Sequence, residues 1–367
     1  MRILFFFPSA IRFDVTTPES APLGGGESCI AYLATELAKA HDVALLANTL
    51  DAVTVRAVRH YKFTEASATQ LLSTNQFDVI VAVSAPVAAP VLRKMSPASR
   101  LILWDHHAPD QPDIQPLARP EVLRALDLVV YLSAWQQAAT ERHLKVRPPS
   151  RVVGNGVTPS FENMFTDVND LKSAKQWRAA YTSAPFRGLD MLVDVYRSLE
   201  SPPTLDVYSS MQVYRGDDTP FHALYADAQS NPAIRYHGSV PQTELASAMR
   251  GVSFFCYPCT FPETFCIAAL EALAAGAWVV STDIGALAST CMGFGTLMPR
   301  SAKSRDEFVA RYRSLYSNVL RDFKASRDSW AQRMIAQSHA VNRSATWRHR
   351  AADWDRLLNE AIQVGRQ

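Results

Sequence analysis

The stretch "VSFFCYPCTFPETFCIAALEALAAGAWVVSTD", Val252 to Asp283, decides how this chain is read. It opens on the apolar run "VSFFCYP" (252–258) and closes on "WVVSTD" (278–283), both dense in β-branched and aromatic residues. Between them, "FPETFCIAALEALAAG" (261–276) is rich in alanine and stops at Gly276, a residue suited to the left-handed position after a helix. Strand, helix, strand is the repeating unit of a parallel sheet. Yet the largely apolar segment 261–276 carries two carboxylates, Glu263 and Glu271, and nothing basic. Buried carboxylates need partners, so theirs must come from elsewhere in the fold or from a ligand.

The same alternation extends outward in both directions. "ILFFF" (3–7), "DVALLAN" (42–48), "DVIVAVS" (78–84), "LILWD" (101–105) and "DLVVYLS" (127–133) form one series. "LDVYSS" (205–210), "IRYHGS" (234–239) and the two runs already quoted form another. Runs that are apolar throughout suit strands covered on both faces. The series are separated by "KVRPPSRVVGNGVTPSF" (145–161), whose prolines and glycines disfavour a continuous helix or central strand. The expectation is α/β: two tandem doubly wound domains over 1–150 and 151–345, with ligands bound at the carboxyl ends of the strands. A helical tail over 346–367 closes the chain, where Trp347, Ala351, Trp354 and Leu358 form one apolar stripe.

Composition agrees with this reading. At 367 residues, 48% hydrophobic and 20% charged, the chain is a globular protein too long for one ordinary core. "MRILFFFPSA" is too short in apolar residues for a signal peptide, and five scattered cysteines argue against a disulfide framework, so a cytoplasmic setting is expected. Net charge is only +2, but from Arg300 onward there are 14 Lys/Arg against 7 Asp/Glu. That excess reads first as solvated helix faces, and second as attraction to anionic lipid at the inner membrane face. No aromatic-interleaved basic motif or zinc-ligand spacing supports nucleic acid as a partner.

A helix starting near Glu263 or Thr264 would turn the amides of Thr264, Phe265 and Cys266 outward, an arrangement that favours phosphate. Glu271, about two turns further in, could accept from two vicinal hydroxyls, as on a ribose. The plainer alternative is that Glu263 caps the helix and Glu271 pairs with a distant Arg or Lys. Gly24, Gly25 and Gly26 follow the first strand and could close their amides around an oxyanion, or simply form a turn. His106 and His107 follow a strand at its carboxyl end, as pH-tuned donors or as packing residues. "CYPC" (256–259) lacks a second ligand pair, and the two acids of "DWD" (353–355) diverge on a helix.

Taken in order, "LGGGES" (23–28), "VVGNGV" (152–157), "SAPFRGLDMLVDVYRSL" (183–199) and "YPCTFPETFCIAALEALAAGAWVVSTDIGAL" (257–287) resemble retaining glycosyltransferases of family 4, with the GT-B fold. The resemblance implies two Rossmann-like domains and a C-terminal helix that crosses back to the first. It implies an enzyme moving a hexose from a nucleoside diphosphate sugar to an acceptor hydroxyl on a glycan, glycolipid or small molecule, with retention and without a metal or other cofactor. Glu271 would hold the ribose, Glu263 the hexose, and the amides of Thr264, Phe265 and Cys266 the diphosphate. Arg187 would neutralise the leaving diphosphate, His106 rather than His107 would contact the sugar, and Gly24, Gly25 and Gly26 would line the donor site. Two positions depart from the family: Thr182 where an Arg is common, and Ser289 where a Glu is frequent. The rival readings are a nucleotide-sugar epimerase of the same fold and a catalytically silent sugar-binding module.

Overall fold

The computed structural model describes residues 1–364. It divides into two compact units. The first is Met1–Pro18, Gly24–Gly156 and the closing segment from Trp347; the second is Glu19–Leu23 with Val157–Thr346. The chain thus passes between them at Gly156, inside the Pro/Gly stretch but past residue 150, and the closing helix expected over 346–367 is described from Trp347 to Val364.

The first unit is built on eight strands: β1 (Arg2–Phe7), β2 (Asp42–Ala47), β3 (Val53–Val55), β4 (Val58–Lys62), β5 (Val79–Val83), β6 (Arg100–Trp104), β7 (Leu128–Tyr131) and β8 (Ser150–Val152). Their order in the sheet is β3-β4-β2-β1-β5-β6-β7-β8, parallel except for the β3–β4 hairpin. Ile3, Leu4 and Phe5 of β1 are fully buried, as their unbroken apolar run requires of a strand covered on both faces. The helix Gly25–Leu37 follows β1, and the closing helix Trp347–Val364 packs against it, with the Tyr32 and Trp347 rings 6.1 Å apart. Trp347, Trp354 and Leu358 of the apolar stripe are buried, and Trp354 meets Trp104 edge-on at 5.2 Å. The acids of "DWD" diverge: Asp353 pairs with Arg350 and Arg356, Asp355 with His41.

The second unit holds β9 (Arg178–Tyr181), β10 (Thr204–Tyr208), β11 (Ile234–Gly238), β12 (Phe254–Tyr257), β13 (Trp278–Thr282) and β14 (Thr296–Met298). The order is β11-β10-β9-β12-β13-β14, all parallel. Four of these match apolar runs read from the sequence; β9 and β14 do not. β9, "RAAY", is short and alanine-rich, and its central place comes from pairing with β10 and β12 on either side. The helix Leu189–Arg197 buries Leu189, Leu192, Val193 and Tyr196. The helix Ile267–Ala274 packs on Arg327–Ser344, where Ser338 Oγ donates to Ala274 O (2.7 Å) and Gln337 Nε2 to Ala277 O (2.8 Å).

Strand order reverses between β9 and β12: one half of the sheet grows outward from β9, the other from β12. Loops leaving the carboxyl ends of such a pair diverge and open a crevice. The loops after β9 and β12 carry Arg187 and Glu263.

Candidate functional site

After β9 the chain makes a short turn over Pro185–Arg187 and reaches Gly188 at φ +108°. A Cβ on Gly188 would lie 2.1 Å from Pro258 O, so only glycine lets the two loops approach this closely. Their approach brings Arg187 Nη1 to 2.5 Å from Glu263 Oε1, with both side chains largely buried. Tyr257, at the end of β12, donates its hydroxyl to the same oxygen. The guanidinium lies 4.5 Å from the Phe261 ring centroid and 5.5 Å from that of Phe186. Burial by itself would lower the arginine pKa; the Glu263 carboxylate and neighbouring phenols outweigh it and hold the guanidinium well above its ordinary value. Burial and Glu263 likewise push the Tyr257 phenol far up, so it stays a donor.

The partner of the first carboxylate is therefore supplied by the fold. The second differs. Glu271 is buried within the helix Ile267–Ala274, and its Oε1 accepts from Thr158 Oγ1 at 2.5 Å. Among the described residues no basic side chain pairs with it, so the alternative of a distant Arg or Lys is not what the fold provides. Burial raises its carboxyl to about 7, against the opposing pull of the Thr158 bond.

One expectation needs correcting. The helix begins at Ile267, not near Glu263, and Glu263, Thr264, Phe265 and Cys266 form the loop before it. Cys266 stands at the N-cap with φ +75°, a left-handed conformation uncommon outside glycine, and that residue breaks the helical path. The amides without intrahelical acceptors are accordingly those that follow Cys266. Glu263 is placed from its backbone instead: Ala286 N donates to Glu263 O at 2.8 Å, and Gly285, at φ +66°, lies against it. Gly276 takes the left-handed position expected after the helix, at φ +64°.

Cys256 and Cys259 are buried, and desolvation pushes both thiols up to about 12, away from the thiolate that metal or redox chemistry needs. Of the two departures from the expected pattern, Ser289 is exposed and bonds its own turn at Ala286 O, and Thr182 is half-buried after β9.

In the first unit, Gly24 is the N-cap of the helix Gly25–Leu37, and Gly25 and Gly26 form its first turn. A Cβ on Gly26 would meet nothing within 4 Å, so steric need does not explain that glycine. Glu27 places a buried carboxyl in the same turn, held by Ser9 Oγ at 3.0 Å and raised in pKa by burial. His106 packs edge-on against Trp104 at 4.5 Å, and burial drops its pKa to about 3, so it is neutral. His107 is instead held by the fully buried Asp105, with Nδ1 3.4 Å from Oδ1, and its pKa is raised. Gln136 closes that cluster by donating to Asp105 Oδ2 and His107 O. His107 thus has a structural task that adjacency in sequence did not reveal, as do Tyr257, Thr158 and Gln136.

Residues 180–318 match the family described as glycosyl transferases group 1. The chain is 30% identical over 145 residues to a phosphatidyl-myo-inositol mannosyltransferase of Mycobacterium leprae, a match covering 38% of this chain and about a third (36%) of that protein's length. Its fold is similar to that of HepE from Anabaena, solved in complex with UDP-glucose (TM-score 0.73, 16% identity, 98% of this chain and 100% of that one). It is also similar to a sucrose-phosphate synthase from Thermosynechococcus elongatus (TM-score 0.74, 15% identity, 99% of each chain).

Proposed function

We propose that the protein transfers a hexose from a nucleoside diphosphate sugar to an acceptor hydroxyl; the match of residues 180–318 to the glycosyl transferases group 1 model and the similarity of the fold to solved GT-B proteins support this reading. The observation that carries the proposal is the arrangement at the β9/β12 switch point. A buried guanidinium and carboxylate stand together there, and a second carboxyl, Glu271, sits in the helix that follows, without a basic partner among the described residues. Departure of a nucleoside diphosphate develops negative charge, and a fixed cation stabilises that charge more in the transition state than in the ground state. Arg187 supplies the cation. Glu271 accepts the ribose hydroxyls, and Glu263 the hexose hydroxyls.

The amides around Thr264, Phe265 and Cys266 and those opening the following helix complete the phosphate contacts, with no divalent ion required. Within the first unit, taken by itself, neutral His106 is the proposed hydrogen-bonding group for a sugar hydroxyl, and the backbone of Gly24, Gly25 and Gly26 is the proposed contact for an oxyanion. Retention of configuration fits front-face transfer, in which the departing phosphate oxygen takes the acceptor's proton. A relative named as a mannosyltransferase and a fold relative solved with UDP-glucose support a hexose carried on a nucleoside diphosphate. A carbohydrate or a lipid-linked hydroxyl is the acceptor. No helix among the described residues is long and apolar enough to cross a membrane; a lipid-linked acceptor would be met by peripheral contact, to which the basic excess from Arg300 onward is suited.

The test is a thermal-shift panel of UDP, GDP, ADP and their sugars, followed by mass spectrometry of reactions with mixed acceptors. A stabilised complex and an acceptor gaining one hexose mass are expected. A donor returned with unchanged mass would point to epimerisation, and indifference to every nucleotide sugar would overturn the proposal.

A further inference from the structure

Tyr257 is fully buried at the carboxyl end of β12, and its hydroxyl donates to Glu263 Oε1. Ser183 Oγ lies 3.3 Å from that hydroxyl. Because the phenol proton is committed to Glu263, Ser183 is the donor to Tyr257. The result is a directed row: Ser183 donates to Tyr257, Tyr257 to Glu263 Oε1, and Arg187 Nη1 reaches the same oxygen at 2.5 Å. Arg187 Nε is buried with no hydrogen-bond partner among the described residues, so the internal carboxylate engages only part of the guanidinium.

An N–H that is bonded to Glu263 is not available to a phosphate oxygen. A diphosphate entering this site competes with Glu263 for Arg187, and the exchange would strip a buried carboxylate of its charged partner. Leaving a buried charge without partners is strongly unfavourable. We infer that Tyr257 is a positioning residue that holds Glu263 in place while Arg187 exchanges this carboxylate for the diphosphate of the donor. The inference rests on the donor-site reading above. The Tyr257 hydroxyl is committed to Glu263 and is met by Ser183, so it acts through Glu263.

The test is a double-mutant cycle read by calorimetric titration with UDP, GDP and ADP. Tyr257→Phe keeps the ring and removes the hydroxyl, and nucleoside diphosphate affinity is expected to fall roughly 10-fold, the scale of a bond to a charged group. Glu263→Gln removes the charge that competes for Arg187, and affinity is expected to rise several-fold. In the Glu263→Gln background Tyr257→Phe is expected to change affinity by less than about twofold, because the carboxylate it serves is gone. An equal loss in both backgrounds, or no loss in either, overturns the inference, since ring packing or nothing would then be the role of Tyr257. If Tyr257→Phe does not fold, Ser183→Ala substitutes: a smaller loss, of about threefold, that vanishes with Glu263→Gln supports the inference, and a loss indifferent to Glu263 overturns it. A wild-type protein that binds none of the three nucleotides removes the donor-site reading itself, an outcome visible before any variant is compared.

Discussion

Thr158 and Glu271 are joined by a 2.5 Å hydrogen bond that ties the start of the second unit to the helix carrying its deeper carboxyl. The hydroxyl offers one neutral bond to a group that water would otherwise solvate fully, and the carboxyl responds by holding its proton to about pH 7. That balance has a direct consequence for stability. In the unfolded chain the same group titrates near 4.5, so between those values the folded state binds the proton more tightly. Stability is therefore fully present below about pH 4.5 and falls as pH rises through 7, by about 3 kcal/mol for a shift of this size. Glu271→Gln, always neutral, should match wild type in urea unfolding at pH 5 and exceed it at pH 8. Parallel unfolding curves at the two pH values would show that Glu271 is not the buried acid described.

Arg187 and Glu263 form a largely buried pair, and removing one member leaves the other charge uncompensated. Arg187→Ala and Glu263→Ala should each lower stability by roughly 3 kcal/mol, while the double variant should lose less than the sum. Turnover should fall by about 100-fold or more in Arg187→Ala, the scale at which a preorganised donor to a developing anion contributes. Nucleotide release with a coupled assay measures this; unchanged release would remove Arg187 from the reaction.

Gly285 offers a test that leaves every charged group in place. A Cβ there would fall 2.4 Å from Glu263 O and 2.6 Å from Glu263 N, and the φ of +66° disfavours any other residue. Gly285→Ala should displace Glu263, lowering turnover by at least 10-fold while costing about 1–3 kcal/mol of stability. Full activity would mean that Glu263 tolerates the shift.

On the proposed reading, the donor diphosphate is met by a guanidinium and backbone amides in place of a divalent ion. Prolonged treatment with EDTA, followed by assay in chelator, should leave turnover within about twofold of the untreated protein, since no metal-bound water or Lewis acid is called on. Loss of activity restored by magnesium or manganese would contradict the proposed chemistry.

Trp354 is 1% exposed and meets Trp104 edge-on. Trp354→Ala should destabilise the first unit by about 3–5 kcal/mol through the cavity it leaves. Calorimetry should show the loss in one transition, with the second unit's Arg187–Glu263 site retaining nucleotide affinity.

Much of the architecture was legible because parallel strands buried on both faces must be apolar from end to end, and such runs stand out without any knowledge of their neighbours. β1, β2, β5, β6, β7, β10 to β13, the stripe of the closing helix and the turn at Gly276 all follow from local pattern. β3, β4, β8, β9 and β14 did not stand out, because a short, polar-interrupted or alanine-rich strand has no pattern of its own and is specified by the strands it pairs with. The helix boundary before Ile267 was misplaced for a similar reason: the left-handed turn at Cys266 is imposed by the loops around Glu263, on a residue that would not choose it. At the site, residue types and spacing singled out Glu263 and Glu271 as chemically conspicuous, and the family resemblance added Arg187. That Arg187 and Glu263 pair with each other, that Tyr257 shares the same oxygen, and that Glu271 has a threonine as its partner depend on contacts between residues from 6 to 113 positions apart. Sequence by itself determined which segments must be buried, because burial is a property of each segment's own side chains. Partnership within the buried polar groups was decided only by the tertiary structure, because a hydrogen bond is a property of two positions that the backbone brings together.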